Sequence, residues 1–185
     1  DPGGGDGAGD YAIFVGRLSQ EKGIDTLLDA WSRIEHLNLK IVGDGPQADL
    51  VRAACERTAN IHWHGELAHA DALDLIGDAK MLVMPSRWYG TFGRTIIEAY
   101  AKGTPVVASN LGAMAELVEP GVTGALFQPG DAAELADCVR TLMTSDLAPM
   151  RRRARAVYEE RFTAEISYAA LMNIYDQARR RRAAA

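Results

Sequence analysis

The sequence predicts an α/β domain built on a doubly wound, Rossmann-like parallel sheet of about six strands, with helices on both faces. Short apolar runs recur along the chain, longer amphipathic stretches separate them, and a glycine-containing loop follows most of the runs. Continuously apolar strands that alternate with helices are typical of a parallel sheet covered on both faces. Ligands of such sheets bind at the carboxyl ends of the strands, so functional residues are expected in the loops there.

The apolar runs give the predicted strands, and the amphipathic stretches between and after them give the helices. The predicted strands are residues 11–15, 39–42, 61–64, 81–84, 105–108 and 124–127. The helices predicted with both bounds are residues 24–35, 70–76, 114–118 and 132–144. A further helix ends near residue 58, another begins at residues 92–93, and two more lie between about residue 149 and the C-terminus.

Length and composition indicate one ordinary globular domain. The chain has 185 residues, of which 48% are hydrophobic and 24% charged. That is enough chain for one substantial core and too little for two typical domains. We expect residues 1–10, which are rich in Gly and Asp, to be a flexible linker, and residues 11–182 to form the domain. The formal net charge of -5 argues against nucleic-acid binding, which favours basic surfaces.

Several features bear on cellular location. No apolar run approaches the ~20 residues of a membrane span, and no signal-peptide pattern stands at the beginning of the sequence. Cys55 and Cys138 lie far apart in apolar contexts and are expected to be buried thiols rather than a disulfide or metal pair. These features favour a cytoplasmic protein. The arginine clusters 151–153 and 179–182 are expected to be solvated, with contact to anionic lipid at the inner face of the membrane as the alternative.

The most informative segment is residues 88–109, which combines a glycine loop, a short helix, a tight turn and a buried strand. A helix that begins at Phe92-Gly93 directs free backbone N–H groups and the positive end of its dipole toward the preceding loop, where a phosphate can bind. Glu98 follows about one and a half turns later, roughly 9 Å along the helix axis. Its carboxylate can accept hydrogen bonds from both hydroxyls of a ribose.

A second glycine-containing segment follows the first predicted strand and has the sequence Gly16-Arg17-Leu18-Ser19-Gln20-Glu21-Lys22-Gly23. Arg17 can clamp a diphosphate through its planar guanidinium group, and Lys22 can add a point charge from the same loop. Two cations on a surface loop are usually only solvated. Their position directly after a strand is what favours a functional role.

Two other strand ends carry weaker signals. The segment Gly43-Asp44-Gly45-Pro46 has two interpretations: its glycines allow close approach to a ligand, or it is a simple turn in which Asp44 caps the next helix and Pro46 occupies the first helical turn. His62 and His64 lie two residues apart on a strand and so share one side. No cysteine or carboxylate with ligand spacing accompanies them, so ordinary strand histidines are favoured and no metal site is predicted.

The segment 88–109 resembles the signature of the retaining group 1 (family 4) glycosyltransferases, whose GT-B fold has two Rossmann-like domains. The match is carried by Glu98-Ala99-Tyr100-Ala101-Lys102-Gly103-Thr104-Pro105-Val106-Val107-Ala108-Ser109. The first glycine segment resembles the family motif Gly-Arg-x-x-x-x-Lys-Gly. The resemblance covers nearly the whole chain after Asp10 and implies the C-terminal, donor-binding domain. The N-terminal acceptor domain precedes this stretch in relatives, and the final helix, 164–182, resembles the one that crosses back onto it.

The resemblance implies transfer of a hexose-type sugar from a nucleoside diphosphate sugar to an acceptor hydroxyl, with retained anomeric configuration. It implies that Arg17 and Lys22 stabilise the leaving diphosphate and that Glu98 anchors the ribose. No cofactor and no metal is required by this scheme, and the isolated chain is expected to bind the nucleotide without transferring sugar. The resemblance also places the nucleotide base at the loop after the third strand, the predicted base loop, and places a turn that completes the phosphate site at Gly112. The expected binding residues are Gly16, Gly43, Gly45, Glu66, Leu67, Thr91, Phe92, Gly93, Arg94, Thr95 and Gly112.

One position departs from the family pattern. The family signature has a pair of glutamates with seven residues between them. Glu98 is the second of the pair, and at the position of the first this chain has Gly90, which carries no carboxylate. Altered donor preference, weakened or lost activity, and a deliberate substitution are the three interpretations. Two alternatives to a transferase are a nucleotide-binding or interaction module that has lost catalysis, and a nucleotide-sugar epimerase of similar fold.

Overall fold

The fold, taken from a computed structural model, is described for residues 1–89 and 92–183, with side chains up to residue 180. The strands are β1 (Tyr11–Val15), β2 (Asn38–Val42), β3 (Ile61–Trp63), β4 (Met81–Met84), β5 (Val106–Ser109) and β6 (Gly124–Phe127). The helices are α1 (Ile24–Trp31), α2 (Ala48–Arg57), α3 (His69–Asp78), α4 (Arg94–Ala101), α5 (Gly112–Leu117), α6 (Ala132–Met143), α7 (Ala148–Arg161) and α8 (Ala164–Ala183). A short 3₁₀ turn, Gln20–Lys22, precedes α1.

The strands form one parallel sheet in the order β3-β2-β1-β4-β5-β6. The chain builds outward from β1 to β3, then crosses to the other side of β1 and builds outward again from β4 to β6. The strand order therefore reverses between β1 and β4, and this switch point is where parallel sheets of this kind bind ligands. The predicted doubly wound α/β fold is confirmed.

The core has two halves, one on each face of the sheet. Successive residues of β1 point to opposite faces: Ala12 and Phe14 pack into one half, and Tyr11 and Ile13 into the other. The first half also contains the buried sides of α1, α2 and α6, and the second those of α3, α4, α5 and α7. Both faces of β1 are covered, which explains why its sequence is apolar throughout rather than alternating.

Several predicted boundaries and one predicted contact need correction. Helix α4 begins at Arg94 and α5 at Gly112, and α2 begins only at Ala48. The interpretation of Asp44 as the cap of α2 is wrong, because Gln47 occupies the N-cap position. The Asp44 carboxylate instead accepts a hydrogen bond of 2.6 Å from the backbone N–H of Gly45, a local contact that short acidic side chains favour in turns. Pro46 accordingly lies in the turn before the helix.

Residues 1–10 form no helix or strand but lie against the ends of α3 and α4. The N–H of Gly5 donates to the carbonyl of Lys102 (2.9 Å), and the N–H of Gly9 donates to the carbonyl of Asp78 (2.9 Å). The buried ammonium group of Lys102 donates to the carbonyl of Pro2 (3.2 Å) and pairs with Asp74 (3.1 Å). The segment therefore has fixed partners on the domain, and its role as a linker stays a prediction.

The two cysteines are free thiols and each is half-buried. Burial is the largest cause that raises the pKa of both Cys55 and Cys138. Across residues 1–89 and 92–183, none of the helices combines the length and the apolar character needed to cross a membrane.

Candidate functional site

The loops after β1, β2 and β3 lie side by side at the carboxyl edge of the sheet. The N–H of Leu18 donates to the carbonyl of Asp44 (2.9 Å), and the N–H of Gly43 donates to the carbonyl of Gly65 (2.7 Å). These bonds continue the parallel pairing of the strands beyond their ends. The structure thereby brings three of the sequence-predicted loops together.

Glycine at position 43 is required by close backbone packing. A Cβ atom placed on Gly43 would lie 2.0 Å from the carbonyl oxygen of Gly16, and the φ of Gly43 is +129°, which disfavours L side chains. Gly45 is similarly close to the backbone of Leu18, at 2.5 Å from its carbonyl oxygen. Contact between the loops therefore explains both glycines without a ligand, and it also holds the loop after β1 in place.

The two predicted cations lie on this loop and remain unpaired within the described chain. Arg17 is exposed and Lys22 is half-buried at the end of the 3₁₀ turn. Among the described residues, no carboxylate comes within ion-pairing distance of either group. Two unpaired cations beside the switch point favour an anionic ligand.

The start of α4 lies on the other side of the switch point. Its N-cap is Gly93, with a φ of +68°, and within the described chain no side chain caps this helix start. Phe92 is 64% exposed and Thr95 is half-buried. Gly90 and Thr91 lie outside the described residues. A helix that starts without a side-chain cap leaves backbone donors for a ligand.

Glu98 lies further along α4 with two basic neighbours. Its side chain is 19% exposed, and its Oε1 accepts a 2.8 Å hydrogen bond from the Nε of Arg94, whose side chain is 75% exposed. The Nε2 of His69, the first residue of α3, is 3.8 Å from the same oxygen. His69 was missed from the sequence, although it closely follows the predicted base loop. Its contact joins that loop to the predicted ribose carboxylate.

The predicted base loop has one exposed and one packed side chain. Glu66 is exposed, whereas Leu67 is half-buried and packs against the second half of the core, which reduces the apolar surface it can offer to a base. His64, before this loop, has its pKa lowered by burial first and then by the positive charges of Lys40 and His62. Within the described residues, no three His, Cys, Asp or Glu side chains cluster as a metal site.

Gly112 begins α5 beside the signature loop, which is the connection from β4 to α4 and begins at Pro85. A Cβ atom at this position would lie 3.0 Å from the ring of Tyr89, so the α5 start and the signature loop pack directly together. Trp88 and Tyr89 themselves are 70% and 69% exposed. Their exposure next to the start of α4 gives the site an open, aromatic rim.

Sequence comparison matches residues 9–145 to the family described as "Glycosyl transferases group 1". The matched stretch includes β1 through α6, and with it every loop of the candidate site. The chain therefore belongs to the group 1 glycosyltransferases, and its sheet is one half of the GT-B architecture.

Individual relatives agree with this assignment. The chain is 37% identical over 163 residues to glycogen synthase from Mycobacterium tuberculosis, covering 84% of this chain and 39% of that protein. HepE from Anabaena, solved in complex with UDP-glucose, superposes with a TM-score of 0.81 at 28% identity, covering 90% of this chain and 49% of HepE. Sucrose-phosphate synthase from Thermosynechococcus elongatus gives 0.82 at 29% identity, covering 94% and 46%. The chain thus spans half or less of the length of these relatives.

Proposed function

We propose that this chain is the C-terminal, donor-binding half of a retaining glycosyltransferase. It binds a nucleoside diphosphate sugar, and together with an N-terminal acceptor domain it transfers a hexose-type sugar to an acceptor hydroxyl. One observation carries the proposal: the unpaired Arg17 and Lys22 and the uncapped start of α4 lie on the two sides of the β1–β4 switch point. The complex of HepE with UDP-glucose supports the choice of donor class.

The proposed chemistry is stabilisation of a leaving group. As the bond between the sugar and the diphosphate breaks, negative charge develops on the departing phosphate oxygen. Arg17, Lys22 and the positive end of α4 stabilise that charge more strongly in the transition state than in the ground state, which is what lowers the barrier. The scheme uses no metal ion, because these groups supply the positive charge.

Glu98 is proposed to anchor the ribose. An ionised carboxylate has acceptor positions for about four hydrogen bonds. Glu98 can therefore keep its bond from Arg94 and still accept bonds from ribose hydroxyls through its second oxygen. The bond from Arg94 fixes the orientation of the carboxylate.

The exposed side of α8 is the proposed docking surface for the acceptor domain. Four exposed residues of this helix follow i, i+3, i+4, i+7 spacing and form one stripe: Tyr168, Leu171, Met172 and Tyr175. The chain alone supplies one wall of an interdomain cleft, and transfer requires a closed cleft that excludes water. We therefore expect the isolated chain to bind nucleotide without transferring sugar.

A second candidate function is a nucleotide-binding or interaction module that has lost catalysis. Gly90 is the observation that favours it, since the family pattern places a carboxylate there. The epimerase alternative is disfavoured, because the chain belongs to a glycosyltransferase family.

Thermal unfolding with UDP, GDP and ADP in turn tests the proposal. A diphosphate at ten times its dissociation constant stabilises the chain by about 1.4 kcal/mol, a shift of roughly 3–6 °C for a domain of this size. We expect a shift with one diphosphate, its loss in Arg17→Ala, and its retention in Arg33→Ala, which removes an exposed arginine whose partner is Asp29. If none of the three diphosphates shifts the transition, the interaction-module alternative takes precedence.

A further inference from the structure

Arg87 joins the two sides of the switch point. It follows β4, and its guanidinium group pairs with Asp25 of α1 (Nη1 to Oδ2, 2.8 Å) and donates to the hydroxyl of Thr26 (2.9 Å). Its backbone N–H donates to the carbonyl of Glu21 (2.9 Å). One residue of the signature loop is therefore bound at three points to the loop after β1 and the start of α1.

The same two loops also touch through their backbones. A Cβ atom on Gly23 would lie 1.9 Å from the carbonyl oxygen of Pro85, so only glycine lets the loops approach this closely. Gly23 directly follows Lys22, and Pro85 stands two residues before Arg87. The contacts of Arg87 therefore extend an existing close packing toward the predicted phosphate-binding groups.

We propose that Arg87 is a positioning residue that holds the loop of residues 16–23 against the signature loop and so sets the separation of the two halves of the diphosphate site. The inference rests on the proposed function of that site. One half carries Arg17 and Lys22, and the other is the start of α4. A diphosphate spans both halves, so its affinity depends on their separation more than the affinity of a monophosphate does.

The geometry favours positioning over a contribution to stability. The side chains of Arg87 and Asp25 are 38% and 40% exposed, and half-exposed ion pairs contribute little to folding. A planar guanidinium that binds a carboxylate and a hydroxyl at once fixes direction as well as distance, which an ammonium group cannot do. Arg87→Lys should therefore restore the charge but only part of the alignment.

The test compares binding of UDP and UMP by the wild-type chain, Arg87→Ala, Arg87→Lys and Asp25→Asn, with Arg33→Ala as the matched control. We expect Arg87→Ala to weaken UDP binding about tenfold while UMP binding changes much less. The UDP affinity of Arg87→Lys should fall between those of the wild-type chain and Arg87→Ala. The double variant of Arg87→Ala with Asp25→Asn should lose no more UDP affinity than Arg87→Ala alone, because both substitutions break the same ion pair. An unchanged ratio of UDP to UMP affinity in Arg87→Ala would overturn the inference.

Amide hydrogen exchange separates failure of this inference from failure of the proposed function. In Arg87→Ala we expect faster exchange at Lys22 and Gly23, whose N–H groups bond within the loop, and no change at Leu82 in β4. If the wild-type chain binds none of UDP, GDP and ADP, the proposed function fails, and exchange at Lys22 and Gly23 still decides whether Arg87 holds the loop. Unchanged exchange at both residues would contradict that role.

Discussion

Neighbouring side chains orient the carboxylate of Glu98. It already bonds to Arg94 and lies near His69, so it is held in one orientation rather than free in solvent. The sequence predicts Arg94 only as one of several binding residues around the start of α4. The structure adds its guanidinium group to the candidate ribose subsite, because positions 94 and 98 are one helical turn apart.

A buried tyrosine next to this site makes the stability of the fold sensitive to high pH. The Tyr100 hydroxyl donates to the carbonyl of Leu117 (2.9 Å) and lies 2.7 Å from the Thr123 hydroxyl. Burial is the main cause that raises the pKa of Tyr100 from 10.0 to about 12. The folded state therefore holds this proton more tightly than the unfolded state does. Its stabilising effect is complete below pH 10 and is lost as the pH rises from 10 through 12.

Tyr100→Phe should make the free energy of unfolding less dependent on pH in that range. At pH 8 the variant should be about 1 kcal/mol less stable than the wild-type chain, because it lacks the hydrogen bond from the Tyr100 hydroxyl to the Leu117 carbonyl. Between pH 10 and 12 it should then lose less stability than the wild-type chain, because one ionisation is gone. Urea unfolding at several pH values measures this, with the exposed Tyr175→Phe as the control. Equal slopes for Tyr100→Phe and wild type would show that Tyr100 does not carry the effect.

Among the elements, the loops at strand ends depend on backbone packing as much as on ligand contacts. Gly43 lies against Gly16, and Gly23 lies against Pro85, both closer than a Cβ atom permits. These contacts fix the position of the loop that carries both cations, Arg17 and Lys22. Backbone packing therefore determines where the charged side chains of the site lie.

Gly43→Ala should destabilise the fold by about 2–3 kcal/mol, because the new Cβ atom collides with backbone and the φ of +129° is strained for alanine. Gly121→Ala is the matched control: its φ is +77°, and no atom lies within 4 Å of the added Cβ. The control should cost only about 1 kcal/mol, the price of the backbone conformation alone. Chemical denaturation of both variants measures the difference, and equal losses would show that loop packing is not what requires glycine at position 43.

The helices and strands followed from sequence because they depend on local pattern. Apolar runs located all six strands, and β1, β4 and β6 have the predicted bounds. Helix starts were less predictable: Asp44 was a plausible cap, but its carboxylate bonds to the adjacent N–H of Gly45 instead. The partners of Arg87 could not be predicted, because Asp25 and Thr26 lie about sixty positions away in sequence and only the sheet order brings them close.

The site residues divide in the same way. Arg17, Lys22 and Glu98 were identified by motif, and their roles stay a proposal that the geometry supports. His69 has no motif of its own, and its place beside Glu98 follows from the packing of α3 against α4.

At the scale of the whole molecule, the chain is one half of a two-domain architecture whose ligand edge and α8 are both open. The candidate site lies at the carboxyl edge of the sheet, while the exposed apolar stripe of α8 offers a surface for another domain. Residues 1–10 lie along the ends of α3 and α4, to which their glycines bond. Under the proposed function, this chain binds the donor and the complete enzyme transfers the sugar.

The most direct test of the central claim is an NMR titration of the chain with UDP, following backbone amides. We predict that the largest shifts occur at residues 16–23 and 43–45 and at the start of α4, Arg94 and Thr95. A separate groove of about 380 Å³ beside α6 is lined by residues 33–37, 139, 140, 143 and 144, and these residues should not respond. Shifts confined to that groove, or spread without relation to the switch point, would contradict the assignment of the donor site.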